Sequence, residues 1–156
     1  MAEDTRRPLK AGGVWALVLA RVGLGVSFLT SDHGVGKPGE LAGFIRYSAT
    51  GHGYAWYAAF LRAVVLPRID LFGTLVLIAE LYVGAALVLG LTTRLAAGLA
   101  IFLCLNYLAA KGAPPWGPGI DQSDVLLAII VIATSAGRIW AVDGVLHRRF
   151  PKAVIW

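Results

Sequence analysis

Four stretches of this sequence are apolar on every face a helix could present. They run from about residue 11 to 29 (AGGVWALVLARVGLGVSFL), 70 to 91, 95 to 110 (LAAGLAIFLCLNYLAA) and 125 to 140 (VLLAIIVIATSAGRIW). A hydrocarbon layer about 30 Å thick takes roughly 20 such residues in helical form. Backbone in lipid must also satisfy its own hydrogen bonds, which a helix does unaided. A membrane β-barrel needs strands of alternating polarity, and these runs do not alternate. The expected fold is therefore all-α and integral to a membrane: a single domain over residues 1–156, built as a bundle of four transmembrane helices. Composition agrees. Hydrophobic residues make up 58% of the chain and charged residues 15%, where soluble domains are roughly half apolar and about a quarter charged. The single cysteine, Cys104, excludes an internal disulfide or a Cys-x-x-Cys redox pair, and reads as a small buried apolar side chain.

The formal net charge of +5 belongs to the edges of these runs. Arg6, Arg7 and Lys10 precede the first, Arg94 lies between the second and third, and Arg148, Arg149 and Lys152 follow the fourth. With four spans all of these fall on one side, which the positive-inside rule makes the cytoplasm. Both termini are expected there, in the cytoplasmic (inner) membrane of a bacterium or archaeon. The loop from Lys111 to Asp124, with Asp121 and Asp124, is expected outside, with Trp116 at the interface. The opening TRRPLK loosely resembles a twin-arginine signal, but Arg21 would follow any cut, so an uncleaved first span is expected.

Residues 30–69 form a long connection between the first two spans, and connections of this length carry function or structure of their own. SDHGVGKPGE is glycine-rich and irregular. Tyr54 to Pro67 has a helical pattern too short to span, with Tyr47, Tyr54, Trp56 and Tyr57 suited to an interface. An interfacial or re-entrant helix that covers the outer end of the bundle is expected here.

Glu80 stands alone in LIAELYVGAALVLG. Counted from the ends of the runs, Arg21 and Glu80 each lie about 15 Å deep and Asn106 about 18 Å. An isolated charge at that depth costs about 2.5–3.5 kcal/mol on insertion scales. An arginine fork against a carboxylate is the cheapest remedy. Gly25 and Gly84, four residues after Arg21 and Glu80, would let the two helices approach closely. The expectation is a layer of Arg21, Glu80 and Asn106, with Tyr107 beside it. This layer is either a lock on helix register or a pocket for a quinone headgroup or small anion. Arg138 and Asp143 are expected to form a structural charge pair at the inner end of the fourth helix. His33, His52 and His147 fall outside the spans, and no metal or nucleotide site is evident.

The segments ARVGLGVSFLTSDHGVGK, ELYVGAALVLGLTTRLAA and AGRIWAVDGVL resemble the DoxX/DoxD family of small four-helix membrane proteins. The likeness is carried by Arg21, Gly25, Phe28 and Lys37, by Glu80, Gly84, Gly90, Thr93 and Arg94, and by Gly137, Arg138 and Asp143. The ending after Gly137 is similar to the DoxD side, the membrane partner in thiosulfate:quinone oxidoreductase. What the resemblance implies is a subunit of a quinone-linked oxidoreductase: a quinone as electron acceptor, thiosulfate as donor, and a DoxA-like or other partner chain. On that reading Glu80 and Arg21 serve catalysis, while Asn106, Tyr107 and Arg21 hold substrate or quinone. The competing reading is a non-catalytic subunit of a respiratory, photosynthetic or detoxification complex, and a lipid or pigment carrier is a third. Partners are the bilayer and other protein subunits, not nucleic acid. A reporter fused after Trp156 is expected to read cytoplasmic, and a periplasmic readout contradicts the topology.

Overall fold

The computed structural model describes residues 11–30, 38–134, 136 and 141–144. Among them there is no strand. The helices are α1 (Ala11–Thr30), α2 (Pro38–Tyr47), α3 (Ala55–Phe60), α4 (Ile69–Leu89), α5 (Thr93–Lys111) and α6 (Ile120–Thr134). Three segments are long and apolar enough to cross a membrane: Gly12–Thr30, Ala55–Leu89 and Thr93–Lys111. The described part of α6 has 15 residues, short of a full span.

The register of α1 against α4 is set by two glycines. A Cβ on Gly25 would come within 2.9 Å of the Gly84 carbonyl oxygen and the Val88 nitrogen. A Cβ on Gly84 would meet the Gly25 carbonyl oxygen at 3.0 Å. With no side chain on either residue the two backbones touch, and dispersion between them holds the pair where lipid offers no hydrophobic drive. From there α4 packs on α5, α5 on α6, and α6 back on α1. Alanines make this close ring possible, since Ala96, Ala97 and Ala100 of α5 and Ala128 of α6 are all fully buried. The outward faces carry Leu19, Leu71, Ile78, Leu95 and Ile129, all exposed. Helices apolar inside and out are what a hydrocarbon solvent requires.

Two boundaries differ from expectation. α6 begins at Ile120 and not at Val125, so Asp121 and Asp124 lie inside the helix and are buried. Their charges are met there. Asp121 pairs with Lys111 at 2.6 Å, and Asp124 accepts a hydrogen bond from Ser27 at 3.0 Å. Asp121 also sits in the first turn, where the helix dipole favours an acid. Second, the helical segment expected from Tyr54 to Pro67 adjoins α4. α3 continues through a π-helical turn at Leu61–Val65 and a 3-10 turn at Leu66–Arg68 and meets α4 at a break, where Arg68 has φ −127° and ψ 38°. Pro67 supplies the cause: without an N–H it cannot continue the ordinary ladder, and the wide turn before it and the tight turn that contains it absorb the defect. The resulting run has 35 residues, more than the roughly 20 that cross a hydrocarbon core.

The segment before α3 folds back on α5. Tyr54 N–H donates to the Ala109 carbonyl at 3.2 Å, and Gly53 lies so close to the Ala110 carbonyl that a side chain would collide with it. α2 meanwhile packs on α4. The connection between α1 and α4 thus forms a second wall beside α4 and α5.

Substituting Gly25 by valine is expected to destabilise the detergent-solubilised protein by about 1–3 kcal/mol, because the added carbons meet backbone that cannot turn aside. Gly23→Ala, facing open space, should stay within about 0.5 kcal/mol of the parent. Equal shifts in unfolding midpoint for the two variants would contradict this account of the register.

Candidate functional site

Between the α2–α3 wall and α4–α5 lies a cavity of about 340 Å³. That volume is near the lower end of the ~300–1,000 Å³ typical of small-molecule sites. Its lining is almost wholly apolar, with Phe44, Ile45, Leu61, Val76, Ala79 and Leu103 as representative members. Polar character comes from three side chains that line it: Tyr57 of α3, and Asn106 and Tyr107 of α5. No lining residue carries a charge.

Each polar group is oriented by another. Tyr107 donates its hydroxyl proton to Oε1 of Glu80 at 2.6 Å, and both residues are 6% exposed. Glu80 does not itself line the cavity, and Tyr107 stands between it and the cavity. The ring of Phe44 meets Tyr107 edge-on, with centroids 6.4 Å apart. Tyr57 donates to Oδ1 of Asn106 at 2.6 Å, and Asn106 Nδ2 donates to the Phe102 carbonyl at 2.7 Å. A hydroxyl has one proton and two lone pairs, and an amide nitrogen has two protons. The Tyr57 oxygen therefore keeps accepting capacity, and Asn106 keeps a second N–H. The cavity wall can accept from a ligand and donate to one.

Of the expected layer, the structure brings Glu80 and Tyr107 together and places Asn106 on the same cavity, but it separates Arg21 from Glu80. The glycine contact explains why. Gly25 opposite Gly84 and Val88 puts Arg21, one turn earlier on α1, level with Gly90 at the far end of α4. A Cβ on Gly90 would overlap the Arg21 guanidinium. Ten residues of α4, about 15 Å, divide that position from Glu80. The depths were right only if both helices began in one plane, and α1 is displaced by almost three turns. Arg21 does not line the cavity.

Arg21, 2% exposed, belongs to a second centre at the α4–α5 turn. Gly90 there has φ 67°, a left-handed C-cap that no bulky residue adopts readily, and Leu91 N–H reaches back to the Ala86 carbonyl at 2.8 Å. Asp143 holds the turn. Its carboxylate accepts from Thr92 N–H and Thr93 N–H, each at 2.7 Å, and its own N–H donates to the Gly90 carbonyl at 2.8 Å. It thereby satisfies the first free N–H groups of α5 and places a negative charge at that helix N-terminus. Its charge also acts on Arg21. Arg138, the partner expected for Asp143 from sequence, lies outside the described residues, as do Lys37, His33 and His147.

Sequence reasoning missed Tyr57 as a site residue and the capping role of Asp143. Tyr57 stands in an aromatic cluster that suits an interface, and only the fold shows that its hydroxyl turns inward to Asn106. Cys104, fully buried, is as expected.

Helices of this length and apolarity, packed around a cavity with a few inward polar groups, define a multi-pass helical membrane protein. Comparison with family models makes this specific: the DoxX model matches residues 16–111, more than half of the chain, and the protein belongs to the DoxX family. The match takes in α2 to α5, which supply the cavity walls. Searches of curated proteins and of solved structures find no match.

Proposed function

We propose that this protein is the membrane subunit of a quinone-linked oxidoreductase, and that a quinone ring occupies the cavity between α2, α3, α4 and α5. The observation that carries the reading is the Tyr107–Glu80 pair at the wall of an uncharged, ring-sized cavity. A quinone oxygen only accepts hydrogen bonds, whereas a quinol hydroxyl also donates. With Glu80 ionised, the Tyr107 proton points to the carboxylate, and a quinol hydroxyl donates to the Tyr57 oxygen. With Glu80 protonated, the carboxyl can donate to Tyr107, and the Tyr107 proton turns to a quinone oxygen. One proton moved along this pair serves both redox states. Reduction takes two electrons and two protons per quinone; Glu80 supplies one proton through Tyr107, and after taking a new proton from water it supplies the second by the same path. Asn106 and Tyr57 hold the ring. Arg21 is left with a structural role at the α4–α5 turn.

The electrons come from a partner chain. A DoxD-like assignment names thiosulfate as donor: two thiosulfate ions couple to tetrathionate and release two electrons. The ending AGRIWAVDGVL, on which that assignment leans, lies beyond the matched residues. The apolar cavity has no cation with which to hold thiosulfate, so its oxidation belongs to the partner, a DoxA-like subunit in this reading. α6 continuing past Thr134 would complete a fourth span in the cytoplasmic membrane, with both termini inside. The accessory-subunit reading differs at one point, for there the Glu80–Tyr107 pair clamps α4 to α5 and the cavity stays without a quinone.

Quenching of tryptophan fluorescence by a decyl-tailed benzoquinone tests the reading on protein in lipid nanodiscs. Saturable quenching is expected, weakened about 3- to 10-fold in Tyr107→Phe, the equivalent of one hydrogen bond. Ala79→Trp, which fills the cavity, should abolish it while helicity is retained. Non-saturable quenching, or equal affinity in all three proteins, would overturn the proposal in favour of the accessory role.

A further inference from the structure

The cavity is not sealed against the bilayer. Three of its lining side chains are also exposed at the molecular surface: Phe60 of α3 by 42%, Leu75 of α4 by 52% and Phe102 of α5 by 60%. They mark a mouth in the side of the molecule and not at either end. All three belong to segments long and apolar enough to cross a membrane. The surface around them is apolar as well, with Leu71 and Ile78 exposed on α4, and Leu95 and Leu105 on α5. A mouth framed in this way opens into hydrocarbon. Water-soluble molecules are dilute there, and an ion pays the full cost of desolvation to enter.

Volume narrows the class of occupant. About 340 Å³ accommodates a ring with small substituents but not a long chain as well. A ligand whose ring sits against Asn106 and Tyr107 must send any chain out between Phe60, Leu75 and Phe102. We propose that the cavity is loaded sideways from the bilayer by a ring carrying a single long hydrocarbon chain, with the ring inside, the chain through the mouth, and its remainder among the lipid tails. This rests on the quinone reading and makes it more specific: the substrate is a membrane-dissolved, long-chain quinone whose chain occupies the mouth, which a tailless ring leaves empty.

The test compares two quinones with the same dimethoxy-methyl ring, one tailless and one decyl-tailed, on full-length protein in nanodiscs. Affinity is read by tryptophan quenching and expressed per quinone partitioned into lipid. Leu75→Trp narrows the mouth. Leu71→Trp, one turn away on the same exposed face but outside the lining, controls for adding an indole there. The expected result is a loss of about tenfold for the tailed quinone in Leu75→Trp, with the tailless ring changed by less than about twofold and Leu71→Trp like the parent. Phe102→Ala widens the same mouth and is expected to speed association of the tailed quinone alone. If Leu75→Trp weakens both quinones alike, or leaves the tailed one unchanged while the tailless ring binds, the side entrance is wrong and the cavity reading stands. If neither quinone saturates the parent protein, both inferences fall.

Discussion

Gly25 and Gly84 bring two helices into backbone contact, and the rest of the molecule follows from where that contact falls. In lipid, helices gain nothing by hiding apolar surface from one another, so the position of closest approach is set by where side chains are absent. Here it is fixed to within a turn, because Gly84 and Val88 of α4 close around Gly25 on one side while Leu29 closes over Gly84 on the other. This single register places Arg21 against Gly90 and leaves Glu80 near the end of α1. Arg21 and Glu80 are thereby placed in two centres and not gathered into one.

The sorting has an energetic logic. An unpaired charge within the hydrocarbon costs about 2.5–3.5 kcal/mol on insertion scales, and a hydrogen bond to a charged group returns about 1.5–3 kcal/mol. Glu80 meets the Tyr107 hydroxyl, while Asp143 meets the two backbone N–H groups that open α5. Each carboxylate is answered locally. The Glu80 centre is the one beside an uncharged cavity. The Asp143 centre has its oxygens committed to backbone and fixes a turn. A carboxylate thus lies beside a cavity in one location and fixes a turn in the other.

Much of this was legible in the sequence. Apolar runs located the three long helices to within a few residues, apart from the joining of α3 to α4. Glu80, Asn106 and Tyr107 stood out as polar groups where polarity is expensive, and all three belong to the candidate site. The axial offset of α1 was not legible, because counting depth from the edge of a run assumes that every run begins in the same plane. The two glycines held the missing information, but a contact has to be placed before it yields an offset. The start of α6 was hidden for a related reason: Asp121 and Asp124 look like loop residues until Lys111 and Ser27 are seen beside them. The cavity arises from the segment least readable as sequence, where the helical run through Pro67 adjoins α4 and Tyr57 points inward.

The central claim is that Glu80 works with Tyr107 and not with Arg21. Double-mutant cycles on unfolding free energy in detergent test it directly, using Glu80→Gln with Tyr107→Phe and Glu80→Gln with Arg21→Gln. Residues in contact couple by about 0.5–3 kcal/mol, and separated ones add to within about 0.3–0.5 kcal/mol. The account predicts coupling of about 1 kcal/mol or more for the tyrosine pair and additivity for the arginine pair. Strong coupling of Glu80 to Arg21 with additivity at Tyr107 would contradict it.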